Sequence, residues 1–189
     1  MIKYEKLYED VKSSLSEKRF KHSEGVVKRA LEYAEIYKLN AEVVRLVAIA
    51  HDIAKELSEE EISNYIKLYN IEFDDIEKNS PNLWHAKIGA YICKDKYGFS
   101  DDMVNSVMYH TTGRANMSLL EKVIYLADAT DETRAYGDMD YYVDIIKKDI
   151  DLGMVEVSKW VINHLLSKNA IIHYDSLKCY NYYANKIAK

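Results

Sequence analysis

The sequence has few residues that interrupt helices. Its 189 residues include a single Pro and six Gly, the two residue types that cost a helix most. Long uninterrupted helices are therefore favoured. The best candidate for a strand, the stretch from Ala170 to Tyr174, is too short to predict a sheet.

Cysteine, net positive charge and long apolar runs are also scarce. The only two cysteines, Cys93 and Cys179, have no paired spacing, which favours reduced thiols in a reducing compartment. A net charge of −5 argues against a nucleic-acid polymer as partner. No segment approaches the ~20 apolar residues of a membrane span, and the N-terminal MIKYEKLYED is charged where a signal peptide is apolar. These absences predict a cytoplasmic protein that does not bind membranes.

What the sequence does contain is helical periodicity punctuated by capping residues. Residues 3–15 repeat apolar side chains with a period near 3.6. Asn40 is a predicted N-cap, and Ser58 with Glu61 and Ser118 with Glu121 form capping boxes. We predict an all-α helical bundle that forms one domain over residues 1–189. Its motif-bearing region covers about 16–135, and closing helices cover about 139–187.

Two aspartates lie in segments that are otherwise apolar. Asp52 follows His51 near the end of VVRLVAIAHDIAK, and Asp128 lies within VIYLADAT. A buried carboxylate without a partner is costly, so either the helix reaches the surface there or a cation is close. His22, His85 and His110 stand on other predicted helices. Each histidine alone is typical of packing, but the six residues together indicate a metal site.

Five segments carry a resemblance to a known family. They are RFKHSEGV (19–26), AHDIAK (50–55), LWHAKIGAY (83–91), YHTTGR (109–114) and MSLLEKVIYLAD (117–128). In this order they resemble the HD-domain metal-dependent phosphohydrolases in their two-metal form. More closely, they resemble the YqeK family of symmetrical dinucleoside-tetraphosphate hydrolases, over roughly residues 1–175. The resemblance implies an HD-type helical bundle that hydrolyses diadenosine tetraphosphate to two ADP with a metal-bridging hydroxide.

The same resemblance implies a ligand set. Asp52 would bridge two divalent ions, one bound by His22, His51 and Asp128 and the other by His85 and His110. Imidazole-rich ligation suits iron, manganese, cobalt, nickel or zinc better than magnesium, and the family implies iron.

Catalytic and substrate-binding residues are predicted around these ligands. Asp52 and Lys55 are the expected catalytic residues. Polar and cationic residues near the ligands are candidates for binding phosphate, although solvated surface positions are the alternative for the charged ones: Arg19, Lys55, Thr111, Thr112, Gly113, Arg114 and Arg134. Trp84 is a candidate for stacking on a base, with core packing as the alternative.

One segment departs from the family pattern. Where the family continues after the last aspartate into a Glu-Pro-Gly-Arg type of turn, this chain has Asp131-Glu132-Thr133-Arg134. The acid and the Arg are kept, whereas Pro and Gly are lost. The shape of the substrate loop, and with it the nucleotide preference, is therefore left open.

Three alternatives stay open at this point. The chain could be an HD phosphohydrolase that acts on nucleoside mono- or triphosphates or on a cyclic nucleotide. It could be a nucleotide-binding module without turnover, or a helical interaction protein whose histidines only pack. His164 and His173 fall outside the motif and are not expected to bind metal. The many tyrosines, 17 in all, leave room for a homodimer.

Overall fold

Helices account for all the regular secondary structure in the described part of the chain. The computed structural model describes residues 3–133 and 139–188. Its helices are α1 (Tyr4–Ser14), α2 (Glu17–Tyr37), α3 (Ala41–Ala50), α4 (Glu59–Tyr69), α5 (Asp75–Lys78), α6 (Trp84–Tyr97), α7 (Asp101–Met108), α8 (Leu119–Ala129), α9 (Met139–Lys148), α10 (Ile150–Ser167) and α11 (Tyr174–Ile187). Within those ranges there is no strand, and the predicted all-α class is confirmed.

The capping residues act as predicted. The Asn40 side chain accepts hydrogen bonds from the first turn of α3, and reciprocal capping boxes start α4 at Ser58 and α8 at Ser118. Helix α6 ends at Gly98, which adopts the left-handed conformation with φ 61°. These contacts satisfy backbone groups that a helix end otherwise leaves unpaired. Local sequence therefore sets the limits of these helices.

Helix α3 ends earlier than its apolar pattern predicts. The pattern continues to Lys55, but the helix stops at Ala50 and residues 51–56 form tight turns. Their hydrogen bonds join residues three apart, from Ile53 N–H to Ala50 C=O and from Lys55 N–H to Asp52 C=O. The His51 side chain also donates to the Ala48 carbonyl, an acceptor that a continuing helix would use. His51 and Asp52 thus lie in a turn that redirects their side chains.

Helix α8 lies in the interior of the bundle. It packs against α2, α3, α7 and α10, and nearly all of its residues are buried. The buried apolar residues form one cluster from Leu7 in α1 to Tyr183 in α11. Because Asp128 is in the last turn of α8, this packing brings it beside α2 and the end of α3. Among the described residues, no helix is long and apolar enough to cross a membrane.

Candidate metal centre

Six side chains from five separate places in the chain meet at one point. His22 is on α2, His51 and Asp52 follow α3, His85 is in the first turn of α6, His110 follows α7, and Asp128 ends α8. Ligand-type atoms of His22, His51 and Asp128 lie within 4.8 Å of one another, as do those of His51, Asp52 and His110. Five of the six residues are buried, and Asp128 is half-buried. The structure therefore brings together all six predicted ligands.

The cluster has two halves: His22, His51 and Asp128 form the first, and Asp52 is at the centre of the second, with His85 and His110. Its Oδ1 lies 3.1 Å from Nε2 of His85 and 3.4 Å from Nε2 of His110. Its other oxygen, Oδ2, is 3.8 Å from Nε2 of His51. In the first half, Oδ1 of Asp128 lies 3.0 Å from Nε2 of His22 and 3.9 Å from Nε2 of His51. His51 thus lies between the two carboxylates.

Three of the histidines are oriented by the backbone. Nδ1 of each lies 2.7 Å from the carbonyl oxygen three residues earlier: His51 on Ala48, His85 on Asn82 and His110 on Val107. A carbonyl can only accept, so Nδ1 carries the proton in each ring. In a neutral ring, Nε2 then presents a lone pair towards the cluster. This is the arrangement by which proteins orient metal-binding histidines.

Several atoms of the cluster that can accept hydrogen bonds lie close to one another. Nε2 of His85 and Nε2 of His110 are 3.2 Å apart, and each also faces an Asp52 oxygen. Nε2 of His51 is buried without a hydrogen-bond partner among the described residues. Lone pairs that face each other at these distances repel unless a cation lies between them. The donor set therefore fits divalent metal ions.

The ionisation of the cluster agrees with this interpretation. Burial lowers the pKa of both His51 and His85 to about 4, which keeps these rings in the neutral form that binds metals. Burial alone would raise the pKa of Asp52, but the surrounding histidines hold it well below its ordinary value. The aspartate is consequently an anion, and the rings of His51 and His85 beside it are neutral.

His22 is oriented by a residue that the sequence analysis did not select. Its Nδ1 lies 3.0 Å from Oδ2 of Asp131, a fully buried carboxylate. Burial lowers the pKa of His22, but Asp128 and Asp131 together raise it to about 9. Gly25 makes room for this contact, because a Cβ there would lie 2.9 Å from Oδ1 of Asp131. The signal in the sequence was the acid kept in the altered turn after Asp128.

Three of the predicted substrate-binding residues lie beside the cluster. Nη1 of Arg19 is 3.8 Å from Oδ2 of Asp52, and its side chain is 43% exposed. Nζ of Lys55 is 3.0 Å from Nε2 of His85. The Thr111 hydroxyl is 3.1 Å from Nε2 of His110. All three side chains line a cavity of about 550 Å³ that also exposes Asp52, His110 and Asp128.

The other predicted phosphate contacts are placed differently. Both oxygens of the buried Glu121 carboxylate accept hydrogen bonds from the Arg114 guanidinium, at 2.7 and 2.8 Å. Gly113 has φ 65° and packs against Cys179, whose Sγ would lie 2.7 Å from an added Cβ. The Thr112 hydroxyl bonds to the Gly113 carbonyl. None of these three residues lines the 550 Å³ cavity, and Arg134 lies outside the described residues.

Part of the wall of this cavity is formed by a helix outside the segments that carry the family resemblance. Helix α10 contributes Trp160, Val161, His164 and Leu165. The candidate for base stacking, Trp84, instead packs against Phe73 with ring centroids 4.9 Å apart, and its indole N–H donates to the Glu77 carbonyl. Packing is therefore the role of Trp84.

Comparison with known proteins agrees with this geometry. Residues 19–133 match the model of the HD domain. A symmetrical bis(5'-nucleosyl)-tetraphosphatase of Bacillus subtilis is 34% identical over 91% of this chain and 92% of its own length. A protein of the same name from Halalkalibacterium halodurans is 35% identical over 90% of this chain and 91% of its own length.

A solved structure shares the whole fold. It is described as a predicted HD superfamily hydrolase involved in NAD metabolism from Clostridium acetobutylicum. It superposes with a TM-score of 0.92 at 31% identity and covers 98% of this chain and 99% of its own. The resemblance read from the five sequence segments is confirmed. This chain belongs to the HD-domain family, in the branch of the symmetrical bis(5'-nucleosyl)-tetraphosphatases.

Proposed function

We propose that this protein is a metal-dependent hydrolase that converts diadenosine tetraphosphate and water into two ADP. The observation that carries the proposal is the convergence at one point of six residues, three of which line an open cavity: His22, His51, Asp52, His85, His110 and Asp128, with Asp52, His110 and Asp128 in the cavity wall. The names of the two bacterial relatives support the choice of substrate over mononucleotides or cyclic nucleotides.

Two divalent ions are proposed for the cluster. HD-domain hydrolases bind divalent metals, and the donor set here fits them. His22, His51 and Asp128 would hold one ion and His85 and His110 the other, with Asp52 shared between them. Iron is proposed, with manganese, cobalt, nickel and zinc as the alternatives that imidazole ligands allow. When bound, such a pair supplies Lewis acidity that lowers the pKa of water and neutralises charge on phosphoryl oxygens.

The residues of the chain have separate tasks in this reaction. Water adds its oxygen to one of the two central phosphorus atoms, and the bridging oxygen leaves with the other ADP. Lys55 lines the cavity and lies 3.9 Å from Asp52, where its charge would stabilise the departing diphosphate. Arg19 would bind and orient phosphate oxygens from α2, and the Thr111 hydroxyl would do so beside His110.

The predicted binding of phosphate by Thr112, Gly113 and Arg114 stays a prediction, because none of these residues lines the cavity beside the cluster. The Arg114 guanidinium is already paired with Glu121, and Thr112 and Gly113 shape the turn that leads to it. A role for Arg134, which lies outside the described residues, also stays a prediction. A homodimer and a cytoplasmic location likewise stay predictions, and the former is tested by measuring the molar mass in solution.

Product analysis tests the proposed function. The metal-loaded protein is incubated with diadenosine tetraphosphate in ¹⁸O-water, and its metal content is measured by elemental analysis. We expect ADP as the only nucleotide product, with one ¹⁸O in half of the ADP molecules. AMP together with ATP would overturn symmetrical cleavage. Absence of hydrolysis by metal-loaded protein would overturn the enzymatic assignment.

A further inference from the structure

The part of the cavity wall that α10 contributes is apolar and aromatic. Trp160, Val161, His164 and Leu165 line it, and their spacing of one, four and five residues places them on one stripe of α10. The buried residues of α10 all lie in its first half, between Ile150 and Ser158. The lining stripe follows them along the helix. In the second half of the helix, Val161 packs partly against the core and also lines the cavity with Trp160.

The two tryptophans of the chain have opposite environments. Trp84 packs against the hydrophobic core and is fixed by its stack with Phe73 and its hydrogen bond to Glu77. Trp160 is half-buried and lines the cavity that contains Asp52 and Asp128. Only Trp160 is therefore placed to contact a molecule bound over the cluster.

Neighbouring rings hold the Trp160 indole in position. The His164 imidazole stacks with it, with ring centroids 6.0 Å apart and 26° between the planes. The Tyr142 ring lies 6.1 Å away and is tilted by 52°. An aromatic surface that its neighbours fix in advance loses little conformational entropy when a flat ligand binds.

Positive charge borders the cluster in this cavity and in a second cleft. Arg19 lines both the cavity of Trp160 and a second cleft of about 850 Å³, in which Lys18 and Lys21 are also exposed beside His22. Glu56 and Glu132 border this cleft as well. The cluster is thus bordered by an aromatic wall on α10 and by cationic side chains, with Arg19 and Lys55 in the same cavity and Lys18 and Lys21 in the second cleft. A substrate with flat bases and a charged phosphate chain matches this combination.

We propose that Trp160, with His164 stacked on it, is the platform for one nucleobase of the substrate. The proposal rests on the proposed function, because it places the scissile phosphates at the cluster and one adenosine in the α10 cavity. Stacking reads the π-face that every base presents, so it favours nucleotides over bare polyphosphates without selecting a particular base.

Fluorescence gives a direct test that does not require turnover. The variant Trp84→Phe leaves Trp160 as the only tryptophan, and Trp160→Phe leaves Trp84 as the matched control. Each metal-loaded variant is titrated with ADP and, separately, with inorganic diphosphate. We expect ADP to quench Trp160 emission and diphosphate to leave it unchanged, while Trp84 emission responds to neither. Equal responses of Trp160 to ADP and diphosphate, or none to either, would overturn the proposal.

Steady-state kinetics provide the second measurement. We expect Trp160→Ala to raise KM for diadenosine tetraphosphate about tenfold, which corresponds to roughly 1.4 kcal/mol, with a smaller effect on kcat. Trp160→Phe keeps an aromatic face and should recover most of the loss. A fall in kcat and Tm at unchanged KM would mean that Trp160 only supports the fold, and would overturn the proposal.

The outcomes separate this inference from the proposed function. Quenching by ADP in a protein that does not hydrolyse the dinucleotide supports the base platform and contradicts the enzymatic assignment. Symmetrical hydrolysis with an unchanged KM in Trp160→Ala supports the enzyme and contradicts the platform.

Discussion

Two buried carboxylates of this protein are stabilised in different ways. Glu121, at the start of α8, is 1% exposed, and both of its oxygens accept hydrogen bonds from Arg114. Asp52 is 3% exposed, but its nearest fixed cations are Arg19 at 3.8 Å and Lys55 at 3.9 Å, both beyond hydrogen-bond distance.

The difference distinguishes a structural ion pair from a binding site. Glu121 has its neutralising charge inside the fold, so its surroundings are complete without a ligand. Asp52 is instead surrounded by the imidazoles of His51, His85 and His110, which backbone carbonyls hold with Nε2 towards it. Bound cations would neutralise the Asp52 carboxylate and accept the lone pairs of the Nε2 atoms around it. The four predictions that follow test this contrast, in order of decreasing effect.

The largest effect is expected at Asp52. Asp52→Ala removes the carboxylate shared by both halves of the cluster, so kcat/KM should fall by roughly 10³-fold or more. Metal content should fall with it, whereas the metal-free protein should be at least as stable as the metal-free parent, because a buried anion has been removed. Elemental analysis and thermal unfolding check both parts. Parent-level activity in this variant would contradict a shared ligand at Asp52.

Arg114→Ala should have the opposite profile. The buried Glu121 would keep its charge without its partner, so the free energy of unfolding should fall by about 3 kcal/mol. Metal content and KM should stay near those of the parent at temperatures where the variant is folded. Denaturant unfolding and steady-state kinetics measure these quantities. A higher KM with unchanged stability would show that Arg114 binds the substrate instead of supporting Glu121.

Asp131→Ala should weaken metal binding without removing a ligand. It takes away the acceptor that orients the His22 ring, and losses of this kind lower metal affinity by roughly 10–100-fold. Asp131→Asn keeps an acceptor oxygen and is the matched control, with a smaller loss. Gly25→Ala should also reduce affinity, since the added methyl displaces Asp131, even though alanine favours the helix. Competition with a metal chelator measures all three variants. Equal affinities in the parent and Asp131→Ala would exclude this positioning role.

The smallest effect is expected at Lys55. Lys55→Ala should keep its metal and lose activity by about tenfold, because a charge near the leaving diphosphate is removed while the ligands remain. Lys55→Arg should restore part of the activity. Metal analysis beside the kinetic assay distinguishes the possibilities. Metal loss in Lys55→Ala would show that the lysine supports the cluster itself.

Much of the fold could be predicted from local sequence. The capping boxes at Ser58 and Ser118, the N-cap at Asn40 and the stop at Gly98 are all found in the structure, because helix ends depend on residues within about four positions. The early end of α3 could not be predicted in this way. It involves a bond from the His51 side chain to the backbone, and an apolar pattern carries no information about such a bond.

Some residues of the candidate site could be predicted from the sequence, and others could not. The six ligand-type residues were selected because acids and histidines are costly in apolar helices and because their order resembles a family. Their function as ligands stays a prediction, supported by the way they converge. Asp131 was overlooked because its partner, His22, is 109 positions away in the chain. Trp160 was overlooked because its helix lies outside the motif segments, and only packing brings it to the cavity.

The helical class, the positions of most helix ends, the candidate ligands and the family can all be predicted from the amino-acid sequence. These depend on periodicity, on capping within one turn, and on the order of residue types along the chain. The pairing of Arg114 with Glu121, the orientation of His22 by Asp131 and the position of Trp160 in the cavity wall are set by the packing of the helices. Each of those contacts joins side chains from different helices or turns, and it exists only because the burial of one apolar core fixes how those elements pack.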